Sequence, residues 1–161
     1  MMTRNTHEAA NATFTIVLTD IESAVGASLG PGPWVPIEQE RIDAFAEATR
    51  DHQWIHVDTD RAADGPFGRT IAHGYLTLSL VPLLMQGILD VTGRSSGVNY
   101  GIDKVRFVNP VPEGARVRMH GSILSATPRS GGMQYRLGLT IEVQGVEKPA
   151  MVGEFIILAF P

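Results

Sequence analysis

The 161-residue sequence contains no cysteine, which excludes disulfide bonds, thiolate zinc sites and a cysteine nucleophile. Charged residues are also few, at 19% of the chain, which fits a protein that hides extra surface in a dimer. The 13 basic side chains form no run that would follow a phosphate backbone, and the 17 acidic ones bring the net charge to −4. We therefore expect no nucleic-acid partner.

Long uninterrupted hydrophobic runs are missing as well. The N-terminal residues MMTRNTHEAANATF lack an apolar segment behind a basic start, so we expect no signal peptide. The stretch from Ile71 to Leu89 is rich in leucine, but polar residues, glycines and Pro82 interrupt it, which favours a buried helix over a membrane span. We predict no membrane partner, and the lack of cysteine is compatible with a cytoplasmic location.

The length and the order of patterns indicate one domain. Residues 1–13 are polar and small, so we expect a flexible N-terminus followed by a single domain at 14–161. Pro36 is expected to open a helix that ends near Arg50, because apolar residues recur along one helical face between them. Residues 51–70 are expected to be irregular, apart from one helical turn.

A buried helix and four strands are expected to make the core. The helix covers 71–89, and Pro82 should kink it, because proline cannot donate a hydrogen bond to the carbonyl of Leu78. Four strands follow at 98–108, 115–127, 133–143 and 150–160. The loops between them are short, which predicts an antiparallel meander. A buried helix followed by such strands is typical of an α+β fold, with the sheet wrapped against the helix.

Polar residues cluster where the first helix should end. Asp51 and His56 are five residues apart, a spacing that does not align two side chains on one helix face. If the chain turns between them, a carboxylate and an imidazole can converge, hold a water molecule and move its protons. The alternative is structural: Asp51 caps a neighbouring turn, and His56 is a partly buried core residue.

A metal site is a second interpretation of the same segment. His52 and His56 form H-x-x-x-H with Asp58 and Asp60 nearby, but Gln53 stands where H-E-x-x-H has its glutamate. We therefore favour no metal.

Two further features outside this cluster also have two interpretations. At His73-Gly74, the free amides of a helix start can bind a carbonyl oxygen, or the glycine can serve close packing. Lys104 and Arg106 alternate on one strand, either as a solvated face or as contacts to a ligand phosphate.

These residues together resemble the MaoC-like, or hydratase-2, branch of the hot-dog superfamily, and its single-domain NodN-like members in particular. That family has an Asp-x-Asn-Pro-(Ile/Leu)-His-x-Asp motif, then an aromatic-Gly segment and an (Ile/Val)-(Ala/Val)-His-Gly helix start. The matching segments here are Asp51-His52-Gln53-Trp54-Ile55-His56-Val57-Asp58, Phe67-Gly68 and Ile71-Ala72-His73-Gly74. Gln53-Trp54 replaces Asn-Pro; the glutamine keeps an amide, and Trp54 is expected to narrow the pocket.

The resemblance implies a hot-dog fold, in which an antiparallel β-sheet is wrapped around a long central helix. It also implies (R)-specific hydration of trans-2-enoyl-CoA to (3R)-3-hydroxyacyl-CoA, in a homodimer or higher oligomer that needs no metal or redox cofactor. By position, Asp51 and His56 become the catalytic pair, and the Gly74 amide polarises the thioester carbonyl. Substrate contacts are expected from Gln53, Trp54, His73, Tyr75, Asn99, Tyr100, Lys104 and Arg106.

Two other functions remain open. A hot-dog acyl-CoA thioesterase would more often carry its carboxylate on the buried helix, and none occurs from Ile71 to Leu89. A non-catalytic acyl-CoA-binding or scaffold protein would keep the pocket without turnover.

Overall fold

The computed structural model describes residues 12–161 as an α+β fold. Its strands are β1 (Thr15–Val17), β2 (Ser28–Leu29), β3 (Val35–Pro36), β4 (Asp90–Thr92), β5 (Ser96–Phe107), β6 (Arg116–Arg129), β7 (Gly132–Val143) and β8 (Met151–Phe160). Its α-helices are α1 (Gln39–Thr49), α2 (Trp54–Val57), α3 (Thr59–Ala63), α4 (Gly74–Ser79) and α5 (Val81–Met85), and a 3-10 helix covers Leu18–Ala24. Within this part of the chain, no helix is both long and apolar enough to cross a bilayer.

The main sheet has six strands, of which β5, β6, β7 and β8 are long. Their order across the sheet is β2-β6-β7-β8-β5, and the short β3 also pairs with β6. The four strands predicted from the sequence are present, but the expected meander is wrong at its first turn, because β5 pairs with β8 instead of β6. Eight residues connect β5 to β6 and reach roughly 26 Å when extended, whereas three strand spacings need only about 14 Å. Hydrogen bonding from the Ala72 amide to the Val111 carbonyl (2.8 Å) ties this crossing segment to the chain before α4.

The core lies between the inner face of the sheet and the helix pair α4–α5. Alternate residues of β7 are buried, among them Leu137, Leu139 and Ile141, and the helices bury Leu76 and Leu84 against the same cluster. Each such side chain stabilises the fold by about 1.5–3 kcal/mol through burial. The period of two on the strand and the buried face of the helices therefore fix which sheet face packs against the helices. The opposite helix face is exposed at Tyr75, Ser79 and Leu83, so burial on all sides, as expected of this segment, is wrong.

The single long helix expected at 71–89 is two short helices. The first of them, α4, begins at Gly74, and it meets α5 at Leu80. Pro82 has no amide hydrogen to donate, so the helical hydrogen bonds are interrupted here, as predicted. Ile71, at the expected start, instead forms an isolated bridge with Pro112. The helix start is therefore placed beside the crossing segment between β5 and β6.

Three other boundaries differ from expectation. The first helix begins at Gln39 because Pro36 belongs to β3 and pairs with Arg116. The region 51–70, expected to be irregular with one turn, contains both α2 and α3. Of the flexible N-terminus predicted at 1–13, residues 1–11 lie outside the described residues, whereas the Thr13 hydroxyl accepts a hydrogen bond from the Gly30 amide at 3.0 Å.

Candidate active site

A left-handed residue at the end of α1 brings the predicted pair together. Arg50 has φ 63°, so the chain reverses immediately before Asp51, and the single turn of α2 then carries His56. The Gln53 amide donates to the Asp51 carboxylate at 3.4 Å, which holds that side chain within the turn. As a result, ligating atoms of Asp51, His56 and His73 lie within 4.8 Å of one another, with the carboxylate exposed and both histidines buried.

His56 is fixed in one tautomer by its surroundings. Its Nδ1 lies 2.6 Å from the carbonyl oxygen of Ile71, and because a carbonyl only accepts, Nδ1 must carry the proton. Burial lowers the pKa of His56 below its ordinary 6.5; the Ile71 hydrogen bond opposes this shift, His73 reinforces it and Asp51 opposes it. The neutral ring therefore presents the lone pair of Nε2, which is the arrangement that a general base needs.

His73 contacts both members of the pair, Asp51 and His56. Its ring stacks on that of His56 with centroids 3.7 Å apart, and Phe45 packs on it at 5.0 Å. Its Nε2 donates to the backbone carbonyl of Asp51 at 3.0 Å, whereas its Nδ1 is buried and has no hydrogen-bond partner among residues 12–161. We infer that His73 places the Asp51 backbone and limits the tilt of the His56 ring.

A cavity of about 260 Å³ opens beside His56. Its wall combines the start of α4, through Gly74 and Thr77, with Phe107 and Asn109 from the end of β5 and the segment after it. Amides in the first turn of a helix have no intrahelical acceptor, so the Gly74 N–H is available to an oxygen atom in this cavity. A methyl group on Gly74 would lie 2.9 Å from the Phe107 ring, so only glycine fits without movement. Both interpretations of this glycine, amide donor and close packing, are therefore compatible with its position.

A partly buried hydrogen-bond network outside the sequence motif holds the His56 backbone. The Gln39 side-chain amide donates to the carbonyl of His56 at 2.7 Å, and its oxygen accepts a short hydrogen bond from the Thr70 hydroxyl. Thr70 is 2% exposed and precedes Ile71, the residue that binds the imidazole. The sequence carries no signal for this link, because Gln39 and Thr70 are 31 positions apart and match no motif.

Gln53 and Trp54 have their side chains turned away from this cavity. The Trp54 ring lies under the Arg61 guanidinium at 4.3 Å and beside Gly65, so it packs on α3 and does not narrow the cavity as expected. The exposed Gln53 contributes its backbone amide, and its side chain makes no hydrogen bond within the described residues. Tyr75 is 69% exposed and meets the Phe107 ring edge-on at 6.0 Å, at the mouth of the cavity.

The substrate contacts predicted on β5 do not line this cavity. Lys104, at a bulge with φ 54°, binds Glu154 at 2.7 Å on the outer face of the sheet, and Arg106 donates to the carbonyl of Val105. Tyr100 is 61% exposed on the edge strand, and Asn99 lines a different cavity. Their roles toward the substrate stay predictions.

The metal ligands considered from the sequence are not assembled. His52 binds Glu47 at 2.7 Å, and Asp58 caps α3 by accepting from the Arg61 amide at 3.0 Å. The group of possible donors that does form is Asp51, His56 and His73.

Comparison with known proteins gives consistent matches. The chain matches the family described as MaoC like domain over residues 20–140. It is 48% identical over 141 residues to 3-hydroxyacyl-thioester dehydratase Z of Mycobacterium tuberculosis, covering 87% of this chain and 93% of that protein. It is 41% identical over 149 residues to nodulation protein N of Rhizobium meliloti, covering 89% and 91%. Among solved structures, the R-hydratase PhaJ1 from Pseudomonas aeruginosa aligns with a TM-score of 0.66 at 25% identity, covering 82% and 83%.

Proposed function

Because the chain belongs to the MaoC-like dehydratase family and is a hydro-lyase with the hot-dog fold, we propose that it hydrates trans-2-enoyl-CoA to (3R)-3-hydroxyacyl-CoA. The observation that carries this proposal is that neutral His56 lines one cavity together with the first turn of α4, while the Asp51 carboxylate lies within 4.8 Å of its imidazole. The relatives whose names specify a 3-hydroxyacyl thioester or an R-hydratase support the substrate class and the stereochemistry.

In the proposed mechanism, water lies between the Asp51 carboxylate and Nε2 of His56. The lone pair of Nε2 accepts a proton from water as its oxygen attacks the β-carbon, and the carboxylate holds the second hydrogen of that water. The electron pair of the double bond moves toward the thioester carbonyl, where the Gly74 amide stabilises the developing enolate oxygen. The imidazolium then returns its proton to the α-carbon on the same face. One water is consumed, and both residues regain their starting states.

The magnitudes are adequate for catalysis. A positioned acid–base group contributes about 10²–10⁴-fold. Removing one oxyanion donor typically costs about 10²–10³-fold in kcat. Because the proton and the hydroxyl both come from water, the balance needs no further reactant. We accordingly propose that the enzyme works without a metal or redox cofactor. We also propose a cytoplasmic location.

We test the function by incubating crotonyl-CoA with the protein and following both enoyl absorbance and free thiol. Loss of absorbance without thiol release is expected, unchanged by a chelator. Asp51→Asn and His56→Ala should each lower turnover by about 10²–10⁴-fold while circular dichroism stays native. Thiol release would identify a thioesterase, and tight binding without turnover would identify a scaffold. Near-normal turnover in either variant would refute the assigned roles.

We also propose that the chain forms a homodimer through β5. This strand ends the main sheet, and it exposes Val98, Tyr100 and Ile102 at 51%, 61% and 47%. A free edge with exposed apolar side chains invites pairing with the same edge of a second copy about a twofold axis. Light scattering should give twice the chain mass, and a monomer at micromolar concentration would contradict the proposal.

A further inference from the structure

A second cavity, of about 520 Å³, lies at the opposite end of the same helix pair. The apolar part of its wall comes from Val81 and Met85 of α5 and from Phe155 and Ile157 of β8. These residues face the space between helix and sheet, which also contains the catalytic cavity at its other end. The volume is in the range of small-molecule sites.

The two cavities follow one another along the helix. Thr77 lines the first and Val81 the second, one helical turn further on. At 1.5 Å per residue, the distance from Gly74 to the second cavity is roughly 10–16 Å. Between the two, the side chains of Val105 and Phe155 approach each other over Gly153, on the inner face of the sheet. An extended chain advances roughly 1.2 Å per bond, so a ten-carbon acyl group bound at Gly74 spans about 11 Å, which is the distance to the near side of the second cavity.

The wall of the second cavity also carries hydrogen-bond donors without protein acceptors. Arg94 is exposed and donates from Nε to the carbonyl of Val91 at 3.0 Å, and its terminal nitrogens form no hydrogen bond within residues 12–161. The guanidinium lies against β5, where a methyl group on Gly97 would be 2.7 Å from Nη1. No carboxylate of the described chain is in ion-pair distance of Arg94, although the exposed Asp90 also lines the cavity.

Tyr135 supplies a second donor to the same wall. Its residue is 2% exposed, and its hydroxyl forms no hydrogen bond within the described part of the chain. Burial raises the pKa of Tyr135, against the influence of Arg94, so the hydroxyl keeps its proton and donates. A methyl-ended chain that covers the Tyr135 hydroxyl would leave this donor without an acceptor, which costs binding free energy.

We propose that this cavity selects acyl groups that carry an oxygen acceptor (keto, hydroxyl or carboxylate) at their far end, bound by Arg94 and Tyr135. The inference rests on the proposed function, since it places the reacting end of that acyl group at Gly74. It adds a class of substrate: medium-length enoyl thioesters that are oxygenated at the tail.

The test compares three ten-carbon trans-2-enoyl-CoA substrates that end in a methyl, a hydroxyl or a carboxylate group. We expect the wild type to give higher kcat/KM for both oxygenated tails than for the methyl tail. Arg94→Met should lower that preference by about tenfold to a hundredfold, the usual effect of a hydrogen bond to a charged group. Tyr135→Phe should lower it less. Turnover of crotonyl-CoA, which is too short to reach the cavity, should be unchanged in both variants.

Arg116→Met is the matched control, because Arg116 is exposed at the start of β6 and forms no ion pair among the described residues. It should leave the tail preference intact. A wild type that prefers the methyl tail, or an Arg94→Met variant with an unchanged ratio, would overturn the proposal. Calorimetric binding of the corresponding saturated thioesters measures the same preference without turnover. Failure of crotonyl-CoA hydration would therefore refute the function without deciding the tail preference.

Discussion

Replacing Gln39 tests whether the placement of His56 depends on residues outside the motif. Gln39→Leu keeps a branched side chain, one methylene shorter, and removes the donor to the His56 carbonyl and the acceptor for the Thr70 hydroxyl. Each buried group left without a partner costs about 1–3 kcal/mol, so the free energy of unfolding should fall by about 2–5 kcal/mol. The turn that carries His56 is then free to shift, and a displacement of about 1 Å of a catalytic group can cost about 10²-fold in rate.

The assay separates placement from stability. Urea unfolding gives the change in stability, and crotonyl-CoA kinetics at a temperature where the variant is fully folded give kcat and KM. We expect the loss in kcat, with KM little changed, because Gln39 does not line the catalytic cavity. Thr70→Val should reproduce part of the loss, and the double variant should lose less than the sum, since both act through one network.

Asp43→Ala is the matched control for this prediction. Asp43 accepts from the same Gln39 amide at 2.7 Å, but that bond is exposed. Its loss should change stability by less than about 0.5 kcal/mol and leave kcat unchanged. If Gln39→Leu lowers stability yet retains wild-type kcat in the folded protein, the positioning role is wrong and the network is only structural.

Two other perturbations address the site directly. Gly74→Ala places a methyl group 2.9 Å from the Phe107 ring and crowds the substrate oxygen beside the Gly74 amide, so kcat/KM should fall at least about tenfold. Adding Phe107→Leu to this variant should restore part of the lost kcat/KM. Unchanged kinetics in Gly74→Ala would contradict the oxyanion role of the amide. In acid, kcat/KM should rise with pH with a midpoint below 6.5, because burial lowers the pKa of His56 and catalysis needs its neutral form. Because the pKa of His56 is lower in the folded protein, the unfolded chain takes up this proton first as the pH falls, so the free energy of unfolding should decline below pH 6.5. An activity midpoint above 6.5 would contradict the assignment of His56 as the base.

The sequence was most informative where a local pattern decides structure. The strands were predicted to within a few residues because alternation and turn residues report on both sheet faces. The break at Pro82 was predicted because a missing amide interrupts a helix in any surroundings. The resemblance motif brought Asp51 and His56 together before any geometry was known, and the left-handed Arg50 explains how a spacing of five residues permits this.

Long-range placement was beyond such patterns. Short loops suggested that β5 pairs with β6, but loop length limits only reach, and the eight residues after β5 span the sheet easily. Trp54 was expected in the pocket because it lies between two site residues in sequence. A one-turn helix, however, sends neighbouring side chains in different directions, and the ring packs on Arg61.

The distribution of polar groups along the core gives the two cavities different tasks. At the first, the imidazole of His56 lies beside the amide of Gly74, and burial lowers the pKa of His56. At the second, the terminal nitrogens of Arg94 and the hydroxyl of Tyr135 have no acceptor in the described chain, although both residues line the cavity. Donors of buried residues are normally satisfied, so the Tyr135 hydroxyl indicates an acceptor that comes with the ligand, and the exposed Arg94 adds a positive charge beside it. Catalysis and tail selection are therefore separable, and exchanging Arg94 should redirect substrate choice while the chemistry at His56 continues.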